Sequence, residues 1–388
     1  MKKSVVCFFA VIMMFCLMIT SRTSLVGYAK ESDEVELSNI TSKSALLLDF
    51  GTGNVIYEKN AHERLPIASM TKLATLSIVF DSLSKGLIKE NDMVVVSENA
   101  ASVEGSSAFL DAGSSYKLSE LVKSVIIASA NDSSVALAEF VSGSEDVCVS
   151  KMNKLAASLG LKDTNFVNCT GLPAENHYSS AYDIAKIYMT ICDNAMYRKY
   201  AKVWMDDFMH PSGRKTGLVN TNRLVKTFDG IEGGKTGYTD AAKYCLTASA
   251  KRGNMRLVGV VIGAGDSKTR FAEMTKMLGF GFANYQSKQL VNSEIPVTIH
   301  TFKNTKKQVE IYAENDCFKF LSKTDDANFS TDYQIYETKA PLKAGDVVGK
   351  MFVFDKNNMV VDEVNLIVKE QVESNGFREY LDRLVHLW

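Results

Sequence analysis

Ser69 and Lys72 sit three residues apart at the head of the apolar run Leu73-Ala74-Thr75-Leu76-Ser77-Ile78-Val79, and this pairing constrains the chain more than any other feature. The run reads as a buried helix. At spacing i, i+3 on its first turn, the two side chains emerge from one face. A serine hydroxyl is a poor nucleophile at its free pKa and needs a base within hydrogen-bond reach. A lysine serves as that base only where burial or a nearby cation leaves its amine neutral. An apolar helix start offers such surroundings, and its free N–H groups point at the serine, ready to hold an oxyanion. Alone, Ser-x-x-Lys recurs by chance and marks nothing more than an exposed helix start.

Two further motifs change that reading. Ser129-Ala130-Asn131 follows the apolar run Val122 to Ala128, and Lys235-Thr236-Gly237 follows the turn-rich stretch Asp229 to Gly234. In order and spacing the three resemble the Ser-x-x-Lys, Ser-x-Asn and Lys-Thr-Gly set of penicillin-binding proteins and serine β-lactamases. The likeness is closer still to the serine-type D-Ala-D-Ala carboxypeptidases, low-molecular-mass penicillin-binding proteins of the S11 peptidase family. It runs from about Ala45 to about Lys369, through Ala45-Leu46-Leu47-Leu48-Asp49, Ala130 to Glu139, Gly171-Leu172, His177 to Ala185, Gly237-Tyr238-Thr239 and Tyr244-Cys245-Leu246. Two departures stand out. Ala130 replaces the glycine many relatives carry, and Glu232-Gly233-Gly234 looks inserted ahead of Lys235.

The resemblance implies a serine β-lactamase/penicillin-binding-protein-like transpeptidase fold of α/β (α+β) type. It also implies an activity: removal of the terminal D-Ala from peptidoglycan stem peptides ending in D-Ala-D-Ala, with β-lactam antibiotics as covalent inhibitors and no cofactor. On this reading Ser69 is the acyl-ester nucleophile, Lys72 the general base and Ser129 the proton relay to the leaving amine. Asn131 bonds the substrate amide and steadies Lys72. Lys235 carries a positive charge near Ser129 and, with Thr236, meets the substrate carboxylate. Gly237 keeps the strand edge clear for the extended substrate. Backbone N–H groups of Ser69 and Tyr238 form the oxyanion hole. Arg270 resembles a second carboxylate-binding group.

Met1-Lys2-Lys3, the apolar run Val5 to Ile19 and the small residues Gly27 and Ala29 read as a secretory signal over residues 1–29. Its removal takes three basic residues and no acids, so the formal charge moves from −1 to −4. Such weak acidity gives no hint of nucleic-acid binding. Cys148, Cys169, Cys192, Cys245 and Cys317 remain, an odd number without CxxC spacing, and read mostly as buried thiols. No His/Cys cluster has metal-ligand spacing, and none of the five histidines is placed like a general base.

About 360 residues then remain, enough for two domains. Ala45–Asp49 and Val55–Tyr57 read as a hairpin. Leu118 to Phe140 is helical with a break at Ser129-Ala130-Asn131, and helices follow over Ser150–Leu159 and Ala181–Asn194. Tyr244–Ala250 and Arg256–Gly263 read as consecutive strands before a closing helix, Lys268–Phe282. The pattern fits an antiparallel sheet with packed helices and a helical lobe, here bounded at 30–290. Residues 291–368 alternate in short, turn-separated runs, the form of a small β-rich domain. In 369–388, Phe377, Tyr380, Leu381, Leu384, Val385 and Trp388 make one apolar stripe, an amphipathic helix suited to a membrane surface.

Two decoys compete for the chemistry. Lys215-Thr216-Gly217 repeats the third motif but sits in a polar stretch without a strand pattern after it. Glu175, in Pro173-Ala174-Glu175-Asn176, lacks the Glu-x-x-x-Asn loop of class A β-lactamases. A serine β-lactamase and a catalytically silent wall-binding protein are the rival readings.

Overall fold

The computed structural model describes residues 37–325 and 327–374. The export signal read over 1–29 and the apolar stripe Phe377 to Trp388 lie outside the described residues.

Strands β1 (Ser44–Asp49) and β2 (Val55–Lys59) form the expected hairpin. A single 3₁₀ turn, Ala68–Thr71, then runs straight into α1 (Lys72–Ser84). The helical lobe follows: β3 (Met93–Val95), α2 (Glu98–Ser102), β4 (Ser115–Lys117), α3 (Leu118–Ala128), α4 (Asn131–Ser142), α5 (Glu145–Ser158), α6 (Ala181–Met189) and α7 (Ala195–Ala201). The hairpin β5 (Met205–Met209) and β6 (Lys215–Val219) and a short α8 (Leu224–Thr227) lead back to the sheet. There β7 (Ile231–Thr239), β8 (Lys243–Arg252) and β9 (Met255–Ala264) meander, and α9 (Ser267–Asn284) closes the unit.

The main sheet has the order β2-β1-β9-β8-β7, antiparallel throughout. Strand β1 alternates between two cores: Leu46 and Leu48 enter the helical-lobe core, Ala45 and Leu47 the core under α9 with Met274, Met277 and Leu278. A strand buried on both faces reads as a continuous apolar run, as this one does. Helix α1 is buried from Lys72 through Phe80 and so forms the axis of the lobe. Strand β7 lies at the sheet edge, against the 3₁₀ turn that carries Ser69.

Several boundaries differ from the sequence reading. Lys215-Thr216-Gly217 opens β6, paired residue for residue with β5; only Phe208 and Leu218 are buried there, too few to show an alternation. The helix read over Ala181–Asn194 stops at Met189, and Asn194 instead caps α7 by accepting from the N–H groups of Met196 and Tyr197. The boundary read at 290 moves back to the end of α9, because β10 (Tyr285–Val291) pairs with β13 (Cys317–Ser322). Beyond it, β11 (Pro296–His300), β12 (Val309–Ala313), β14 (Ser330–Ile335), β15 (Val347–Phe354) and β16 (Val360–Val368) form a sheet ordered β11-β12-β16-β15-β14. Residues 369–374 are not helical as read. Val372 makes a bridge to Leu342 and is buried in the β core. Among the described residues no helix is long and apolar enough to cross a membrane.

Candidate active site

From Ile67 to Phe80 every residue is buried except Ser69, which is partly exposed. The hydroxyl is therefore the one point where this segment meets the solvent. Lys72 Nζ lies 2.9 Å from Ser69 Oγ and donates a second hydrogen bond to the carbonyl oxygen of Thr170 at 2.8 Å. Its side chain is fully buried, and burial pushes the amine down to about 7, against smaller opposing pulls from Cys169 and Asp132. Asp132 gives Lys72 little direct help. Its carboxylate accepts from the N–H groups of Ala108 and Leu110 and the hydroxyl of Ser107.

The second motif sits where α3 ends. Ser129 takes a left-handed conformation, φ 64°, and its N–H caps the helix on Val125 O. This turn lets α4 begin at once from Asn131 and aims the Ser129 hydroxyl at Lys235, whose Nζ donates to Oγ at 2.7 Å. Asn131 is held by its Nδ2 on Glu104 O at 2.6 Å, not against Lys72 as the resemblance implied, and its buried Oδ1 has no hydrogen-bond partner.

The third motif lies within β7, in register with Thr247, Leu246 and Cys245 of β8. Lys235 is 2% exposed and also donates to Thr236 O. Burial, reinforced by Lys72 and Arg270, presses its amine well below the ordinary lysine range, against the positive charge the resemblance implied. Gly237 has a structural reason beside the one read in the sequence. A Cβ there would lie 2.8 Å from Ile67 O and 3.1 Å from Ser69 N, so glycine lets the strand touch the nucleophile's own turn. The same closeness brings β7 at Gly237 beside the Ser69 N–H. The Tyr238 side chain is half exposed and donates its hydroxyl to Asp240. Arg270 is buried beside β7, its Nη1 shared between Gly237 O at 3.1 Å and Cys245 O at 3.3 Å. It clamps the strand rather than standing open to solvent, and its Nε is buried without a partner.

This geometry has matches among known proteins. Residues 29–266 match the family model described as D-alanyl-D-alanine carboxypeptidase. The chain belongs to the D-alanyl-D-alanine carboxypeptidase family. Residues 285–374 match the penicillin-binding protein 5 C-terminal domain. D-alanyl-D-alanine carboxypeptidase DacF of Bacillus subtilis (strain 168) is 42% identical over 350 residues, covering 89% of this chain and 90% of the relative. DacA of Escherichia coli (strain K12), of the same description, is 30% identical over 366 residues, 90% of this chain and 89% of the relative. The crystal structure of penicillin binding protein 5 from Haemophilus influenzae matches with a TM-score of 0.68 at 32% identity, over 86% of this chain and 98% of that one.

In this D-alanyl-D-alanine carboxypeptidase family member, the loop 165–178 supplies groups that the motifs do not announce. Backbone bonds between Asn165 and Tyr178 close its base, and Asn168 Oδ1 accepts from the Gly171 N–H at 2.7 Å. That turn places Thr170 O on Lys72 and packs Gly171 against the carbonyl of Ala68. Gly171 sits at φ 84°, and a Cβ there would lie 1.9 Å from Ala68 O. A Gly171→Ala variant is expected to lose at least about 2 kcal/mol of stability from backbone strain and overlap. A urea midpoint equal to that of the parent would contradict this packing. Glu175, on the same loop, is exposed, and Lys215 pairs with Asp207 away from Ser69. Neither decoy joins the site.

Proposed function

We propose that the chain removes the terminal D-alanine from peptidoglycan stem peptides ending in D-Ala-D-Ala, through an acyl-enzyme on Ser69 that water resolves. The observation that carries this reading is the Lys72 amine, dry, pressed toward neutrality and 2.9 Å from Ser69 Oγ. A neutral amine can accept the serine proton as Oγ attacks the carbonyl of the penultimate residue. The N–H groups of Ser69 and Tyr238 hold the resulting oxyanion. When the C–N bond breaks, Ser129 passes a proton to the departing D-Ala amine, drawn from the Lys72–Lys235 side of the network. Water then gives a proton back through Lys72 or Ser129 as it attacks the ester, and Ser69 leaves with a proton restored.

Recognition follows from the polar groups around this centre. The unpartnered Asn131 Oδ1 suits a substrate amide N–H. The substrate carboxylate meets Lys235 and Thr236, and its charge favours the ammonium form that burial opposes. Arg270 adds positive potential from behind β7. β-Lactams acylate the same serine. Residues 1–29 direct export, and the stripe from Phe377 to Trp388 rests on the outer membrane–water interface of the cytoplasmic membrane, with the β-rich region between as a spacer.

The test is an assay of free D-alanine from a peptide ending in D-Ala-D-Ala, run beside capture of a labelled penicillin. Released D-alanine with a long-lived adduct is the expected result. Rapid penicillin turnover without peptide cleavage would mark a β-lactamase, and no adduct a silent wall-binding protein.

A further inference from the structure

His177 does not enter the chemistry above, yet it ends a hydrogen-bonded chain that reaches the residue before the nucleophile. The imidazole is 7% exposed, on the loop that also supplies Thr170 O and Gly171. The Val167 N–H donates to its Nδ1 at 3.0 Å. With Nδ1 an acceptor, the proton of a neutral ring lies on Nε2, 2.7 Å from Thr71 Oγ1. Thr71 then turns its own proton onto Ala68 O at 2.9 Å. Three donors therefore point one way, from the Val167 N–H through His177 and Thr71, and the Ala68 carbonyl oxygen is the final acceptor. Burial pushes His177 down to about 4, so the ring stays neutral across the neutral range, and the Val167 N–H keeps its proton on Nε2.

The acceptor at the end of the chain is a strained one. Ala68 holds φ 47°, a left-handed conformation that a residue with a Cβ rarely adopts and that surrounding contacts must enforce. Its peptide leads directly into the Ser69 N–H, and its ψ side sets where Ser69 Oγ falls relative to Lys72. Gly171 blocks the carbonyl from one side, and Thr71 pins it by hydrogen bond.

We infer that His177 is a positioning residue for acylation: through Thr71 it fixes the Ala68 carbonyl, and with it the aim of the Ser69 N–H and hydroxyl. The inference rests on the D,D-peptidase reading, and the two fail separately. Wild-type D-alanine release and penicillin capture test the reading, while ratios among variants test the inference.

Four single variants of the full chain and one double variant supply the readout; the singles are Thr71→Val, nearly isosteric without the hydroxyl, Thr71→Ser, which keeps it, His177→Leu, and His177→Gln, which keeps a donor toward Thr71. Removing the chain is expected to lower kcat and the penicillin acylation rate by about 10- to 100-fold, with KM within about 2-fold. Thr71→Ser and His177→Gln should recover most of the loss. The double variant Thr71→Val/His177→Leu should be no worse than the worse single one, because both break one chain. Unchanged kcat in Thr71→Val overturns the inference, as does equal loss in the conservative variants or a double loss equal to the product of the singles. Should His177→Leu not fold, Thr71→Val against Thr71→Ser decides alone.

Discussion

A Ser69→Ala variant is expected to fold as the parent does and to lose penicillin capture, a fall of about 10⁶ in acylation. Ser69 is partly exposed, and its hydroxyl accepts a hydrogen bond from Lys72 Nζ, so removing it leaves no buried carbonyl or carboxylate unsatisfied. Lys72 keeps its bond to Thr170 O. A thermal midpoint close to that of the parent should therefore accompany the loss. Mass spectrometry of the variant after incubation with a penicillin reads the outcome. A stoichiometric adduct on Ser69→Ala would place the nucleophile elsewhere.

Lys72→Met separates chemistry from stability. The base contributes about 10²- to 10⁴-fold, so acylation should fall by that amount. The fold should barely change. Burying an amine costs desolvation, which methionine avoids, and this offsets the Thr170 carbonyl left without its donor. Stability within about 1 kcal/mol of the parent is the expectation, read by urea denaturation. Full-speed acylation in Lys72→Met would remove the base from the mechanism.

Much of this site was legible in the sequence because two of its three motifs lie at element boundaries, where residue types carry local meaning, and the third lies in a strand. Ser129 was visible as a break in a helical pattern, and the structure makes it a left-handed helix cap. The apolar run after Lys72 announced a helix buried on all sides, and α1 is that helix. The β1–β2 hairpin, β8, β9 and α9 followed from alternation and periodicity. What local pattern could not carry was contact between distant segments. Thr170 and Gly171 meet the nucleophile's segment from about a hundred residues away through backbone groups whose direction depends on an Asn168-built turn, and His177 meets Thr71 through its imidazole. Gly237 was read as keeping the strand edge clear for substrate, while the contact of its Cα with Ile67–Ser69, which local pattern does not show, also requires glycine. Arg270 was recognised as a cation near the site, while its bonds to Gly237 O and Cys245 O arise only once β7, β8 and α9 meet. Strand β6 was missed because a polar two-stranded hairpin buries too little to leave a trace.

The account depends on an amine that is neutral near pH 7 beside Ser69. The second-order rate constant for penicillin acylation, followed from about pH 5 to about pH 10, reports the free enzyme's base directly. With the Lys72 amine at about 7, the rate should climb about tenfold per pH unit on the acid side and level off above that value. A rate still climbing toward the ordinary lysine range, or flat throughout, would contradict it.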